Sequence, residues 1–230
     1  MEGLTDLILA CAAFVGSHFA MSHPLRAAMV QRLGEKGFQG VYSLVSFATL
    51  AWVAYAYHMA AKGAPLWPAS DGPWIAATII MWVASVLLVG SFAKNPALPD
   101  PKAAHNLDRP VQGVFAITRH PMMWGFALWG VAHIIAMPTP AQIVLAGAIV
   151  VLALVGARGQ DAKKEVLMGE GWKAWEARTS YWPLALQLTG RMSWGAAIPS
   201  LRVLLIGTAV WLGVSFAHGA IGAGIWRWIG

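Results

Sequence analysis

Ile117-Thr118-Arg119-His120-Pro121-Met122-Met123-Trp124-Gly125, running on to Ala132-His133, decides how this chain is read. Proline is favoured at the first position of a helix, where its missing N–H would have had no helical partner anyway, so a helix starts at Pro121. From Met122 to Met137 the sequence is almost wholly apolar and carries one further ionisable group, His133. Arg119 and His120 therefore sit at the mouth of a helix too apolar for water. The rest of the chain is read outward from that mouth.

The chain has 230 residues, 58% of them hydrophobic and 11% charged. Soluble domains carry roughly 25% charged residues. A mean hydropathy of +0.59 points the same way. The expected class is all-α: a polytopic membrane helix bundle forming one domain over residues 1–230. The net charge of +6 does not form a nucleic-acid-binding patch, because the basic residues alternate with apolar segments. The single cysteine, Cys11, excludes an internal disulfide and a cysteine-rich metal cluster. Met1-Glu2-Gly3 is acidic where a secretory signal is basic, so the first apolar segment reads as a retained span.

Six spans are expected, near residues 4–22, 39–61, 73–93, 122–137, 140–157 and 202–219. Most have the length a crossing needs at about 1.5 Å per residue, and the fourth is short. Of the 16 basic residues, 14 fall in three alternate connections, leaving only Lys62 and Arg227 on the other side. The positive-inside rule then puts those connections in the cytoplasm and both termini outside it, with a bacterial inner (plasma) membrane as the expected location. No Asp, Glu, Lys or Arg lies near the middle of a span, which argues against an ion-coupled pump.

The first cytoplasmic connection runs from Ser22-His23-Pro24 through Gly37. The second, Lys94 to Arg119, holds Pro96, Pro99, Pro101 and Pro110 and is expected to be irregular. In the third, Met168, Trp172 and Trp175 recur at helical spacing among charges between Asp161 and Arg178. That pattern predicts an amphipathic helix in the interface, with Trp182 and Trp194 as further anchors. Trp67, Trp74, Trp226 and Trp228 are expected to form the outer aromatic belt.

His18 falls about a turn before the inner end of the first span, and His120 at the inner start of the fourth. The two share a depth, so adjacent helices would let them face one another across a planar cofactor such as haem. The alternative is that each caps a helix or bonds a loop carbonyl. His133 lies thirteen residues beyond His120, about 220° round the helix and ~20 Å deeper, so one face does not present both. His23 is either a turn residue or a second ligand candidate. Arg119 can hold a carboxylate, propionate or phosphate, or can reach to lipid headgroups. Asp161 can pair with Arg119, orient a histidine, or serve as the N-terminal charge of a helix.

His18, Gly34-Glu35, Phe38 and Tyr42-Ser43, then Thr118-Arg119-His120-Pro121 with Trp129 and Ala132-His133, then Asp161, Gly169-Glu170, Arg178-Thr179-Ser180 and Pro183, form a pattern over nearly the whole chain. It resembles the NnrU family of bacterial membrane proteins, named for their occurrence near genes of nitrite and nitric oxide reduction. It is also similar to the related zeta-carotene cis–trans isomerases. That resemblance implies a bundle of about six helices. It implies haem b whose iron acts as a Lewis acid on a polyene, with His18 and His120 as metal ligands. Arg119 would hold a propionate, with His133 and Asp161 as supporting cofactor-site residues. A lipophilic substrate in the bilayer, or support of denitrification with a respiratory-chain partner, is then expected. A partial resemblance to S-adenosylmethionine-dependent membrane methyltransferases rests on Arg119-His120-Pro121, Asp161 and Pro183. Trp172 and Trp175 stand where those enzymes show tyrosines, and Asp161 stands where they show two glutamates.

Overall fold

The computed structural model describes residues 2–98, 103–219 and 223–229, which form helices and their connections with no strand among them. Pro99, Pro101 and Lys102 of the second connection lie outside the described residues. In order come α1 (Leu4–Ser22), α2 (Arg26–Met59), α3 (Asp71–Ser91), α4 (Val114–Ile117), α5 (Pro121–Ala136), α6 (Pro140–Met168), α7 (Glu170–Arg178), α8 (Ala185–Leu188) and α9 (Leu201–Ala217). Four of these, α1, α2, α3 and α6, are long and apolar enough to cross a membrane. The apolar helices α5 and α9 are shorter, at 16 and 17 residues. A helix of α5's length covers about 24 Å, less than the ~30 Å hydrocarbon core. Its polar mouth therefore needs protein partners as much as water.

The helices pack in a row, in the order α2, α1, α6, α5, α3, α9, so α6 separates α1 from α5. Glycines let α5 approach both neighbours closely. A Cβ on Gly125 would come 3.1 Å from the Ala84 carbonyl of α3, and one on Gly130 would come 2.8 Å from the Ala146 carbonyl of α6. Without water to drive helices together, such close backbone contact is what holds them. Leu7, Ala10, Cys11 and Phe14 of α1 meet Val53 and Ala56 of α2 and Ala141 of α6 in one core. Trp74 and Ala77 of α3 meet Ala132 and Ala136 of α5 in another.

Both described chain ends lie at one end of the bundle. The Ala61 N–H donates to the Glu2 carbonyl at 3.1 Å, and Arg227 reaches Asp71 at 3.4 Å. The opposite end carries the long basic connections and is called the basic end below.

Three details differ from the expectations. The connection after α1 is largely helical: α2 begins at Arg26 and is interrupted only at Gly34, where φ is 71°. Ala27, Ala28, Met29, Gln31 and Arg32 are good helix formers, and Gly34 relieves the chain at the break. Next, α6 continues to Met168, so Asp161 belongs to it, and α7 starts only after Gly169, where φ is 55°. Finally, Trp172 and Trp175 are 0% and 2% exposed. Their face is apolar as the spacing predicts, but it closes on Leu87, Leu107, Val114 and Phe115 and not on lipid. Trp74 is likewise buried, whereas Trp67, Trp182, Trp194 and Trp228 are exposed as anchors should be.

Candidate functional site

The mouth of α5 is built by two segments that pair without forming a regular sheet. The Arg119 N–H donates to the Ser180 carbonyl at 2.8 Å, and the Leu184 N–H donates to the Ile117 carbonyl at 2.8 Å. The Thr118 hydroxyl and the Trp124 indole N–H both donate to the Tyr181 carbonyl, at 2.8 and 2.9 Å. The Tyr181 hydroxyl in turn donates to the Leu154 carbonyl of α6 at 2.7 Å. Residues 180–184 thus strap α5 to α6 and hold Arg119 and His120 in fixed directions. His120 takes the N-cap position that Pro121 dictates.

Asp161 is the centre of the charges there. It accepts from Arg119 through Nε at 3.0 Å to both oxygens and through Nη2 at 2.6 Å, and it bonds His120 Nε2 at 2.7 Å. Glu176 of α7 adds a second carboxylate to Arg119 at 3.2 Å. Both pairings that the sequence left open for Asp161 are therefore present. The His120 side chain is 1% exposed. Burial pushes the Glu176 carboxyl up from its ordinary value; Arg119 pulls it down, and the Asp161 carboxylate pushes it up again. Buried charges persist only when paired and bonded, and this cluster meets that condition.

With Nε2 donating to Asp161, the neutral imidazole of His120 presents Nδ1 as a bare acceptor, and Nδ1 is buried without a partner. A carboxylate that fixes tautomer and direction is the arrangement general bases use. Neither the place of Tyr181 nor the partner of Glu176 is legible in the sequence. Both lie beside the Arg178-Thr179-Ser180 group, which was the one signal available.

His18 is elsewhere. It lines a cavity of about 490 Å³ with His23, Tyr42, Gln160 and Lys163 at its polar end and Phe14, Phe126 and Ile149 along its apolar walls. His120 does not line it, and α6 lies between α1 and α5. The His18 Nδ1 bonds the Phe14 carbonyl at 2.7 Å, which directs Nε2 away from its own helix as a bare lone pair. A metal-bound histidine is usually held in that way. A second cavity, about 880 Å³, is lined by Leu50, Phe126 and Ile149 as well, and continues past Tyr57 to His58 and Lys62. The two adjoin at those side chains along α2, and together they make up the groove. Between Tyr42 and His58 it runs about 24 Å at the helical rise.

The haem expectation can be set against these donors. Around His18 they fit: an imidazole in a ligating tautomer, apolar walls, and Lys163 as a cation for a propionate. His120 does not complete that set, because it does not line that cavity and its Nε2 is committed to Asp161. Arg119 is likewise committed to Asp161 and Glu176. His133 is not near either group. It lines a separate cavity towards the termini, with Nδ1 bonded to the Trp129 carbonyl at 2.8 Å. Among the described residues no three His, Cys, Asp or Glu side chains form a metal cluster.

A family model described as NnrU protein matches residues 6–224. The chain is similar to the chloroplastic 15-cis-zeta-carotene isomerase of Arabidopsis thaliana, at 26% identity over 196 residues. That match covers 81% of this chain and 52% of the isomerase, so the chain spans about half the length of the curated relative it matches. No solved structure matches the chain.

Proposed function

Because the chain belongs to the NnrU family, we propose that it works inside the bilayer on a long, apolar, unsaturated substrate, isomerising one of its double bonds. The observation that carries this reading is the groove along α2. It is apolar between two polar ends, open at the side, and long enough for an extended polyene chain. A compact substrate would need no such run, and a charged one would find only apolar walls between the two polar ends.

The chain's residues divide the work. Leu50, Phe126 and Ile149 hold the substrate extended and keep water away from it. His18, fixed by the Phe14 carbonyl, is the residue that would hold haem b, and Lys163 is the cation that would meet a propionate. When bound, haem would supply a Lewis acid, which would lower double-bond order. Arg119, His120 and Asp161 fix the mouth of α5, from which Met123 and Phe126 project into the groove. His120 does not line the groove, so its part is to fix the start of α5. The basic end faces the cytoplasm in this proposal, by the positive-inside rule.

The same Asp161 bonds weigh against a methyltransferase reading, since the acid that would bind the cofactor is already bound to Arg119 and His120. A supporting part in nitrogen-oxide metabolism draws only on the resemblance, and no feature of the groove calls for it. The test is reconstitution of the haem-loaded chain in liposomes with 15-cis-zeta-carotene and chromatographic separation of isomers. Conversion to the trans isomer is expected, with loss in Ile149→Trp, whose bulk closes the groove. No conversion by the haem-loaded chain would sink the reading.

A further inference from the structure

We propose that the cavity near the chain termini is a second binding site, for a lipophilic ring bearing carbonyl or hydroxyl oxygens, of the quinone–quinol class. It goes beyond the isomerase reading and does not depend on it. The cavity, about 200 Å³, lies between α3, α5, α9 and the turn Gly224–Trp228. Trp74, Trp129 and Trp211 give it aromatic walls.

Four polar side chains line it with bonding capacity unspent. Thr78 is 9% exposed and its hydroxyl has no partner. The Trp211 indole nitrogen is buried and also has none. His133 and His218 bond their Nδ1 to the carbonyls of Trp129 and Val214, at 2.8 and 2.7 Å. With Nδ1–H donating, each leaves Nε2 as an acceptor, and neither Nε2 bonds another described residue. A buried polar group without a partner is costly, and native interiors carry few. Two such donors, with the half-buried His133 and the exposed His218 offering acceptors beside them around one small space, point to a ligand that bonds them.

The chemistry of that ligand follows by elimination. A pure hydrocarbon would leave both buried donors, Thr78 and Trp211, unsatisfied. A charged ligand would find no counter-charge, because no Lys, Arg, Asp or Glu lines the cavity. A divalent metal ion would meet two neutral imidazoles and no anion, which does not offset its desolvation. A flat neutral ring fits the tryptophan walls. Its carbonyl oxygens accept from Thr78 and Trp211; in the reduced form its hydroxyls donate to His133 and His218.

The experiment uses the full-length chain in detergent and equilibrium dialysis with menadione and its reduced diol, with squalene as the hydrocarbon control. Thr78→Val and Trp211→Phe each delete one donor and keep nearly the same shape. Each is expected to weaken menadione binding about 5- to 10-fold. Without ligand their melting temperatures should equal or exceed the wild type's, since each removes an unsatisfied buried donor. Unchanged menadione affinity in both variants, or equally tight binding of squalene, overturns the proposal. Should either variant misfold, a photoreactive azidoquinone on the wild-type chain decides: label in the α3 and α9 peptides containing Thr78 and Trp211 supports the site, and label confined elsewhere overturns it.

Discussion

Asp161 and His120 stand forty-one residues apart in the chain and 2.7 Å apart in the fold. The contact ties the C-terminal part of α6 to the first residue before α5, and Arg119 closes it from the other side. One carboxylate thus neutralises a buried guanidinium and sets the tautomer of a buried imidazole.

Removing that carboxylate leaves the His120 N–H without its acceptor and the buried Arg119 with Glu176 as its remaining carboxylate. Asp161→Ala is expected to destabilise the protein by about 3–5 kcal/mol. Asp161→Asn, which keeps an acceptor, should lose less. Thermal unfolding in detergent checks the order of the two. Wild-type stability in Asp161→Ala would show that the cluster does not hold α5 to α6.

Glu176 gives the cluster a pH dependence. Its carboxyl is raised by burial, so between the ordinary glutamate value and the raised one the folded protein binds more protons than the unfolded protein. Stability therefore falls as pH rises through that window. Glu176→Gln removes the proton and should flatten the slope. A slope identical in the variant would place its origin in another group.

Haem separates His18 from His120. Added haem is expected to give a Soret band with the wild-type chain and with His120→Ala, and none with His18→Ala. Loss of the band in His120→Ala alone would mean that its Nε2 leaves Asp161 for iron.

The helix row depends on small residues. Gly130→Val drives a side chain into the Ala146 carbonyl and the Val150 side chain, and should lower the melting temperature markedly. Gly16→Ala faces open space and should leave it unchanged or slightly higher. Equal behaviour of the two variants would count against close α5–α6 packing.

The sequence by itself determined the class of molecule and the place of its helices. Burial of an uncharged run in lipid leaves a helix as the only way to satisfy its backbone, so composition and proline positions sufficed for α1, α3, α5 and α9. The sequence also located Arg119 and His120 at a helix mouth, because Pro121 fixes the register there. Tertiary structure alone decided which residues meet. Depth along a helix is legible from sequence, and that much put His18 and His120 level with one another. Neighbourhood is not legible, because apolar helices carry little pattern to say which of their faces meets which helix. So α6 came between α1 and α5, Asp161 took His120, and His18 opened on a groove of its own. The inward turn of Trp172 and Trp175 has the same cause. An apolar face at helical spacing serves lipid or protein equally well, and only packing chooses between them.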